Sequence, residues 1–228
     1  MQQNVVALGG CTVMSGAHRV LASCDAADTG AFTATRESVS LLTEYVDGSC
    51  VKGTHTCAAP GRRIRRVSLT PGRARATPEA VAAVAEADTI VIGPASLYRE
   101  VLPTLLVRGI AGAIAASRAP VVFVMNLMTE PGATDGYSGT DFVVALRRHV
   151  KQLPVALTVL VNSAPIPELV AARYARAGQQ PVTVDTATLS NLGCIVVHAD
   201  LLADDASARH DSTKLAAALD ALRGSPLQ

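Results

Sequence analysis

Asp88-Thr89-Ile90-Val91-Ile92-Gly93-Pro94-Ala95-Ser96-Leu97-Tyr98 is the stretch that decides the fold. Residues 88–92 form a short apolar run, which reads as a strand buried on both faces, the habit of a parallel sheet. Gly93-Pro94 then ends the strand and turns the chain toward a helix. Outward from this point the same rhythm repeats. Residues 77–87 read as a helix with Pro78 in its first turn. Residues 104–117 read as one helix, in which Gly109 and Gly112 allow close backbone approach. Residues 120–125 are a second buried strand. Residues 140–150 follow as a helix, with Phe142, Val143, Leu146 and Val150 on one face. A strand at 154–161, a helix at 166–177 and strands at 181–184 and 194–198 continue the alternation. Asp211 then caps a last helix, with Leu215, Leu219 and Leu222 as its inner stripe. Alternating helices and apolar strands predict an α/β fold: a doubly wound, mostly parallel, Rossmann-like sheet.

Toward the N-terminus the pattern changes. Residues 4–8 read as a strand entering Gly9-Gly10, and residues 15–32 as helix or irregular chain. Residues 38–46 and 49–54 flank Asp47-Gly48, which predicts a hairpin because that pair supplies positive φ angles. Residues 62–70 alternate apolar and basic, with Ile64, Val67 and Leu69 on the buried side and Pro71-Gly72 as the stop. The expected organisation is one domain over 1–228, with a small antiparallel hairpin region at about 36–70.

Composition bounds the function. With 228 residues, 49% of them hydrophobic, the chain can bury one sizeable core, and with 3% aromatics and no tryptophan that core relies on close helix–sheet contact. A formal charge of +1 argues against general attraction to nucleic acid or anionic membrane. Arg62, Arg63, Arg65, Arg66, Arg73 and Arg75 nevertheless crowd one stretch, as a solvated face or as phosphate contacts. The five cysteines form no CxxC pair, which suits a reduced compartment and no structural zinc. Neither a signal peptide nor a membrane span is expected, and the location is expected to be cytoplasmic.

Ligands of open parallel sheets sit beyond the carboxyl ends of the strands. Three polar loops fall there: 93–98, Asn126-Leu127-Met128-Thr129-Glu130-Pro131-Gly132, and Asn162-Ser163-Ala164-Pro165. The first can aim backbone N–H groups at an anion, with Ser96 as helix cap or phosphate contact. Gly9-Gly10-Cys11-Thr12 would be a fourth loop at that edge. No GxSxG, HExxH or GxxxxGK[ST] motif is present. His149 reads as a surface residue favouring a helix dipole, His210-Asp211 as a helix start, and Asp204-Asp205 as solvated carboxylates. No catalytic residue is predicted.

Residues 87–98 resemble the gluconeogenesis factor family, part of the CofD-like superfamily that includes 2-phospho-L-lactate transferase. Further matches are Pro103-Thr104-Leu105-Leu106-Val107, then the 126–137 stretch NLMTEPGATDGY, which is the most specific. Arg173-Tyr174, Ala199-Asp200-Leu201-Leu202 and Arg209-His210-Asp211 follow in order. The resemblance implies a regulatory UDP-sugar binder, typically of UDP-N-acetylglucosamine, with roles in carbon metabolism and cell-envelope or cell-shape control and with no required cofactor. On the strand-end loops, ligand contacts are expected at Gly9, Gly10 and Thr12, at Gly93, Pro94, Ser96 and Leu97, at Asn126, Met128, Thr129 and Thr134, and at Asn162. Position by position the resemblance adds Tyr137 and Arg173. Two other readings stand beside it: a magnesium-dependent transferase of the phospholactate type, and a scaffold that keeps the fold and binds a protein partner or a second copy of itself.

The departures from the family are local. Its GGGTG turn reads Gly9-Gly10-Cys11-Thr12-Val13 here, its GPGS loop reads Gly93-Pro94-Ala95-Ser96, and its DDGGSSG segment is missing. The resemblance therefore implies a family member shortened near the N-terminus.

Overall fold

The structure is a computed structural model that describes residues 5–8, 19–22, 31–53, 59 and 61–224. The strands are β1 (Val5–Leu8), β2 (Arg19–Ala22), β3 (Ala31–Thr33), β4 (Ser40–Tyr45), β5 (Cys50–Lys52), β6 (Ile64–Thr70), β7 (Thr89–Ile92), β8 (Val121–Val124), β9 (Thr158–Asn162) and β10 (Ile195–Ala199). The helices are α1 (Pro78–Ala85), α2 (Leu102–Leu106), α3 (Ile110–Ala116), α4 (Gly139–His149), α5 (Glu168–Ala175), α6 (Thr186–Asn191) and α7 (Ser212–Gly224).

Seven strands form one sheet in the order β10-β9-β8-β7-β1-β2-β3, and every pair in it is parallel. The alternation of buried residues shows why helices cover both faces. Ile90, Ile92 and Phe123 point into one cluster with Phe142, Val143 and Leu146 of α4. Their neighbours Val91, Val122 and Val124 point into the other, with Leu215 and Leu219 of α7. This is the predicted doubly wound architecture.

The chain runs outward from β1 to β3 and returns to place β7 against β1, with Leu8 opposite Ile92. Strand order therefore reverses between β1 and β7, the point at which such sheets open a crevice. Gly93 N–H closes that end of the ladder by donating to Leu8 O at 3.0 Å.

The hairpin is also as predicted. In the antiparallel sheet β5-β4-β6, Gly48 takes φ 83° at the turn, and Ile64, Val67 and Leu69 are the buried residues of β6. These three residues, with Leu41 and Tyr45, join the same apolar cluster as Ile90 and Phe123.

Three expectations are corrected. Residues 15–32 are not helical where described, since β2 and β3 extend the main sheet through ladders to β1. Strands of four and three residues are too short to show a period; tertiary pairing makes them. The predicted helix over 104–117 is broken. A π-helical turn at Leu97–Val101 leads into α2, and the chain then extends at Val107 and reverses at Gly109 (φ 111°) before α3. Residues 74–76 cause the break, because Arg108 N–H donates to Ala74 O at 3.0 Å and Ala76 N–H to Arg108 O at 2.9 Å. Finally, residues 181–184 form no sheet strand. Pro181 makes one isolated bridge to Met128. Val182 N–H donates to Leu127 O at 2.9 Å, so this segment braces the loop after β8. Among the described residues no helix is long and apolar enough to cross a membrane.

Candidate functional site

The loops after β7, β8 and β10 meet at the carboxyl edge of the sheet around a cavity of about 670 Å³. Pro94, Ala95 and Ser96 line one side, Asn126, Leu127 and Met128 the next, and Ala208, Arg209, His210 and Ser212 the far wall. Gly93 sits directly behind. Its φ is 75°, and a Cβ there would meet Ala95 N at 3.3 Å and Val124 O at 3.4 Å, so only glycine fits without strain. Asn126 Nδ2–H donates to Ala95 O at 3.0 Å and ties the first two loops together.

Ser96 does more than cap. Its Oγ accepts from Arg99 N–H at 3.4 Å and donates to Glu130 Oε2 at 2.5 Å. Arg99 Nε–H also donates to Ser96 Oγ at 3.3 Å, and its guanidinium pairs with Glu130. One ionic network therefore locks the two loops in register.

The far wall was not singled out from the sequence as a site. His210 Nε2–H donates to Met125 O at 3.2 Å, and burial pushes its pKa down to about 4, so the ring is neutral at pH 7. Asp211 caps α7, accepting from Thr213 and Lys214 N–H at 2.8 Å each, as predicted. Arg209 lies exposed, with its nearest carboxylate Asp205 at 3.6 Å. The strand-then-loop logic that found the loops after β7, β8 and β9 applies equally after β10, and that signal was legible.

The remaining predicted contacts divide. Arg173 is exposed on α5 and its guanidinium holds Ala206 O, while Tyr174 Oη accepts from Ala208 N–H at 3.2 Å. Both therefore support the far wall from behind. Leu97 is buried in the core, and Thr129 and Thr134 are buried with their hydroxyls accepting from Gln180 and Glu130 N–H. Asn162 lines an adjoining cavity of about 440 Å³ that shares Asn126 and Leu127. Its Oδ1 accepts from Leu201 N–H at 3.0 Å, which anchors the start of the loop after β10. Tyr137 lines a different cavity, beside Tyr98. Gly9, Gly10, Thr12, Cys11, His18 and His55 lie outside the described residues.

His149 is corrected. It is not a charged surface group: Nε2 accepts from Val67 N–H at 3.0 Å, Nδ1–H donates to Ala145 O at 2.7 Å, and burial holds its pKa below the ordinary value. Asp204 and Asp205 are exposed as expected, and Asp204 pairs with Lys214 at 2.7 Å.

Among the described residues no three His, Cys, Asp or Glu side chains converge to hold a metal ion. The cleft's carboxylates, Asp205 and Asp211, are engaged by Arg209 and by the cap of α7.

The family profile described as 2-phospho-L-lactate transferase CofD matches residues 9–202. The chain belongs to the CofD family. It is 39% identical over 194 residues to the gluconeogenesis factor of Halalkalibacterium halodurans, covering 85% of this chain and 59% of that one. It is 37% identical over 187 residues to the gluconeogenesis factor of Bacillus subtilis, covering 82% and 59%. A crystal structure of a UPF0052 family protein from Bacillus halodurans superposes with a TM-score of 0.79 at 38% identity, covering 83% of this chain and 61% of that one. This CofD-family chain thus spans about three fifths of the length of these relatives. Family and fold agree with the resemblance drawn from the 87–98 and 126–137 stretches.

Proposed function

We propose that this CofD-family chain is a regulatory nucleotide-sugar binder of the gluconeogenesis factor kind, taking a UDP-N-acetylglucosamine-type ligand in the cleft between Ser96, Asn126 and Arg209. Its role would lie in carbon metabolism and cell-envelope control. The observation that carries the reading is the convergence of the loops after β7, β8 and β10 at the carboxyl edge of the sheet, with β7 bordering the strand-order reversal and Gly93 held in a glycine-only conformation. Doubly wound sheets take nucleotides beyond the carboxyl ends of their strands. Arg209 offers a planar fork to a diphosphate, and Asn126 and the backbone of 94–96 offer polar edges to the remainder.

Calorimetric titration with UDP-N-acetylglucosamine tests it. Saturable heat is expected, and Arg209→Ala should weaken binding roughly tenfold, the effect of one charge-assisted hydrogen bond. Arg173→Ala should weaken it less, through the wall that it supports. No heat at millimolar ligand would sink the proposal. The transferase reading has the description of the family profile behind it. Magnesium-dependent transfer from a guanylated donor to a deazaflavin would replace regulation by catalysis.

A further inference from the structure

A second cavity, of about 550 Å³, opens between the small sheet and α4, and shares no lining residue with the cleft. Arg63 and Arg65 of the β6 side, Arg148 and His149 of α4, and Tyr98 and Tyr137 line it. Its charge is unbalanced. Among the described residues Arg63 and Arg148 have no ion-pair partner, whereas Arg65 meets Glu44 at 3.0 Å. Asp141 is the carboxylate in the lining, and its Oδ2 is committed to the cap of α4, accepting from Ser138 N–H at 2.8 Å and Oγ–H at 2.6 Å. His149 adds no charge, because both ring nitrogens are engaged and burial keeps it neutral.

The tyrosine pair supplies a donor. Tyr98 and Tyr137 hydroxyls lie 2.8 Å apart, so one donates to the other and the acceptor's proton is left to point elsewhere. Val46 and Val144, which are 66% and 48% exposed, add apolar surface at the rim.

We propose that this cavity is a second ligand site, for a small phosphate ester whose phosphoryl oxygens are held by Arg63, Arg148 and the tyrosine hydroxyl pair, with its carbon skeleton against Val46 and Val144. Two uncommitted guanidinium forks match phosphate oxygens better than a single carboxylate. The volume suits a metabolite and not a polymer. A formal charge of +1 for the whole chain gives no general field that would gather arginines here for solubility. The site is independent of the proposed nucleotide-sugar cleft.

The test uses phenyl phosphate as the probe, in calorimetric titration of the intact chain. Saturable binding is expected. It should fall roughly tenfold or more in Arg63→Gln/Arg148→Gln and be partly kept in Arg63→Lys/Arg148→Lys. Arg209→Ala should leave it unchanged. Both Arg63 and Arg148 are exposed, so circular dichroism of the double variant should match the parent. Probe binding that survives the glutamine variant, that is lost in Arg209→Ala instead, or that never saturates would overturn the proposal. Retained UDP-N-acetylglucosamine binding in the glutamine variant is expected; its loss would place both ligands in one site and overturn the second.

Discussion

Protonating His149 would remove the lone pair that accepts Val67 N–H at 3.0 Å, and would set a new cation beside Arg148 and Arg66. The ring is therefore a neutral clasp between α4 and β6. His149→Ala leaves Val67 N–H without its partner, and unfolding in urea should show a loss of about 1–3 kcal/mol. His210 adds a pH dependence of definite sign. Burial holds its pKa near 4 in the fold, against 6.5 ordinarily, so the unfolded chain binds more protons between those values. Stability should accordingly fall as pH drops from about 6.5 toward 4. His210→Asn should flatten that part of a melting-temperature profile, and an unchanged slope would assign the effect to other groups. Neither histidine's role was legible, since burial in this fold depends on partners 82 and 85 residues distant.

At the scale of elements, local signals were read well where they were complete. The Phe142, Val143 and Leu146 stripe of α4 is buried as its spacing predicted, and the structure adds a reciprocal capping box of Ser138 and Asp141 at the start of that helix. Ser138→Ala should cost about 1 kcal/mol in thermal or chemical denaturation. The turn after β7 is more demanding. At Gly93, alanine would add a Cβ 3.3–3.4 Å from backbone atoms in a left-handed conformation. Gly93→Ala should lower stability by about 1–2 kcal/mol and also weaken nucleotide-sugar binding, measured by melting and calorimetry. Signals failed where another segment imposed the structure. The helix pattern over 104–117 gives no hint that residues 74–76 pair with Arg108 and split it. In the same way the resemblance sets Tyr137 in one ligand site with Ser96 and Asn126, whereas the chain turns at Gly136 (φ 67°) and brings the Tyr137 hydroxyl to that of Tyr98.

Across the whole molecule, both sheets feed one apolar cluster, from Tyr45 and Val67 to Ile90 and Phe123. A perturbation in the small sheet should therefore reach the large one. Tyr45 is 1% exposed, and Tyr45→Ala should destabilise by about 3–5 kcal/mol. Hydrogen exchange in that variant should speed up in β8 as well as in β4; protection kept in β8 alone would show that they unfold separately. Two sides of the cleft, after β7 and β8, were readable because parallel topology sends strand ends to one edge. The wall after β10 obeys the same rule without having been marked as a site, and of the basic cavity only the arginine crowd at 62–66 was legible, because Tyr98, Tyr137 and Arg148 join it from other parts of the chain.

The tyrosines turn this architecture into something that can be watched with light. There are four, and no tryptophan masks them. Tyr98 and Tyr137 sit in the basic cavity, Tyr174 braces the cleft wall, and Tyr45 stacks under Arg62 at 3.8 Å in the small sheet. Burial first, and then the neighbouring Tyr137, push the Tyr98 hydroxyl far above the ordinary phenol range. In an alkaline absorbance titration its tyrosinate band should stay silent until the fold opens, while intrinsic emission reports on each cavity without any added dye.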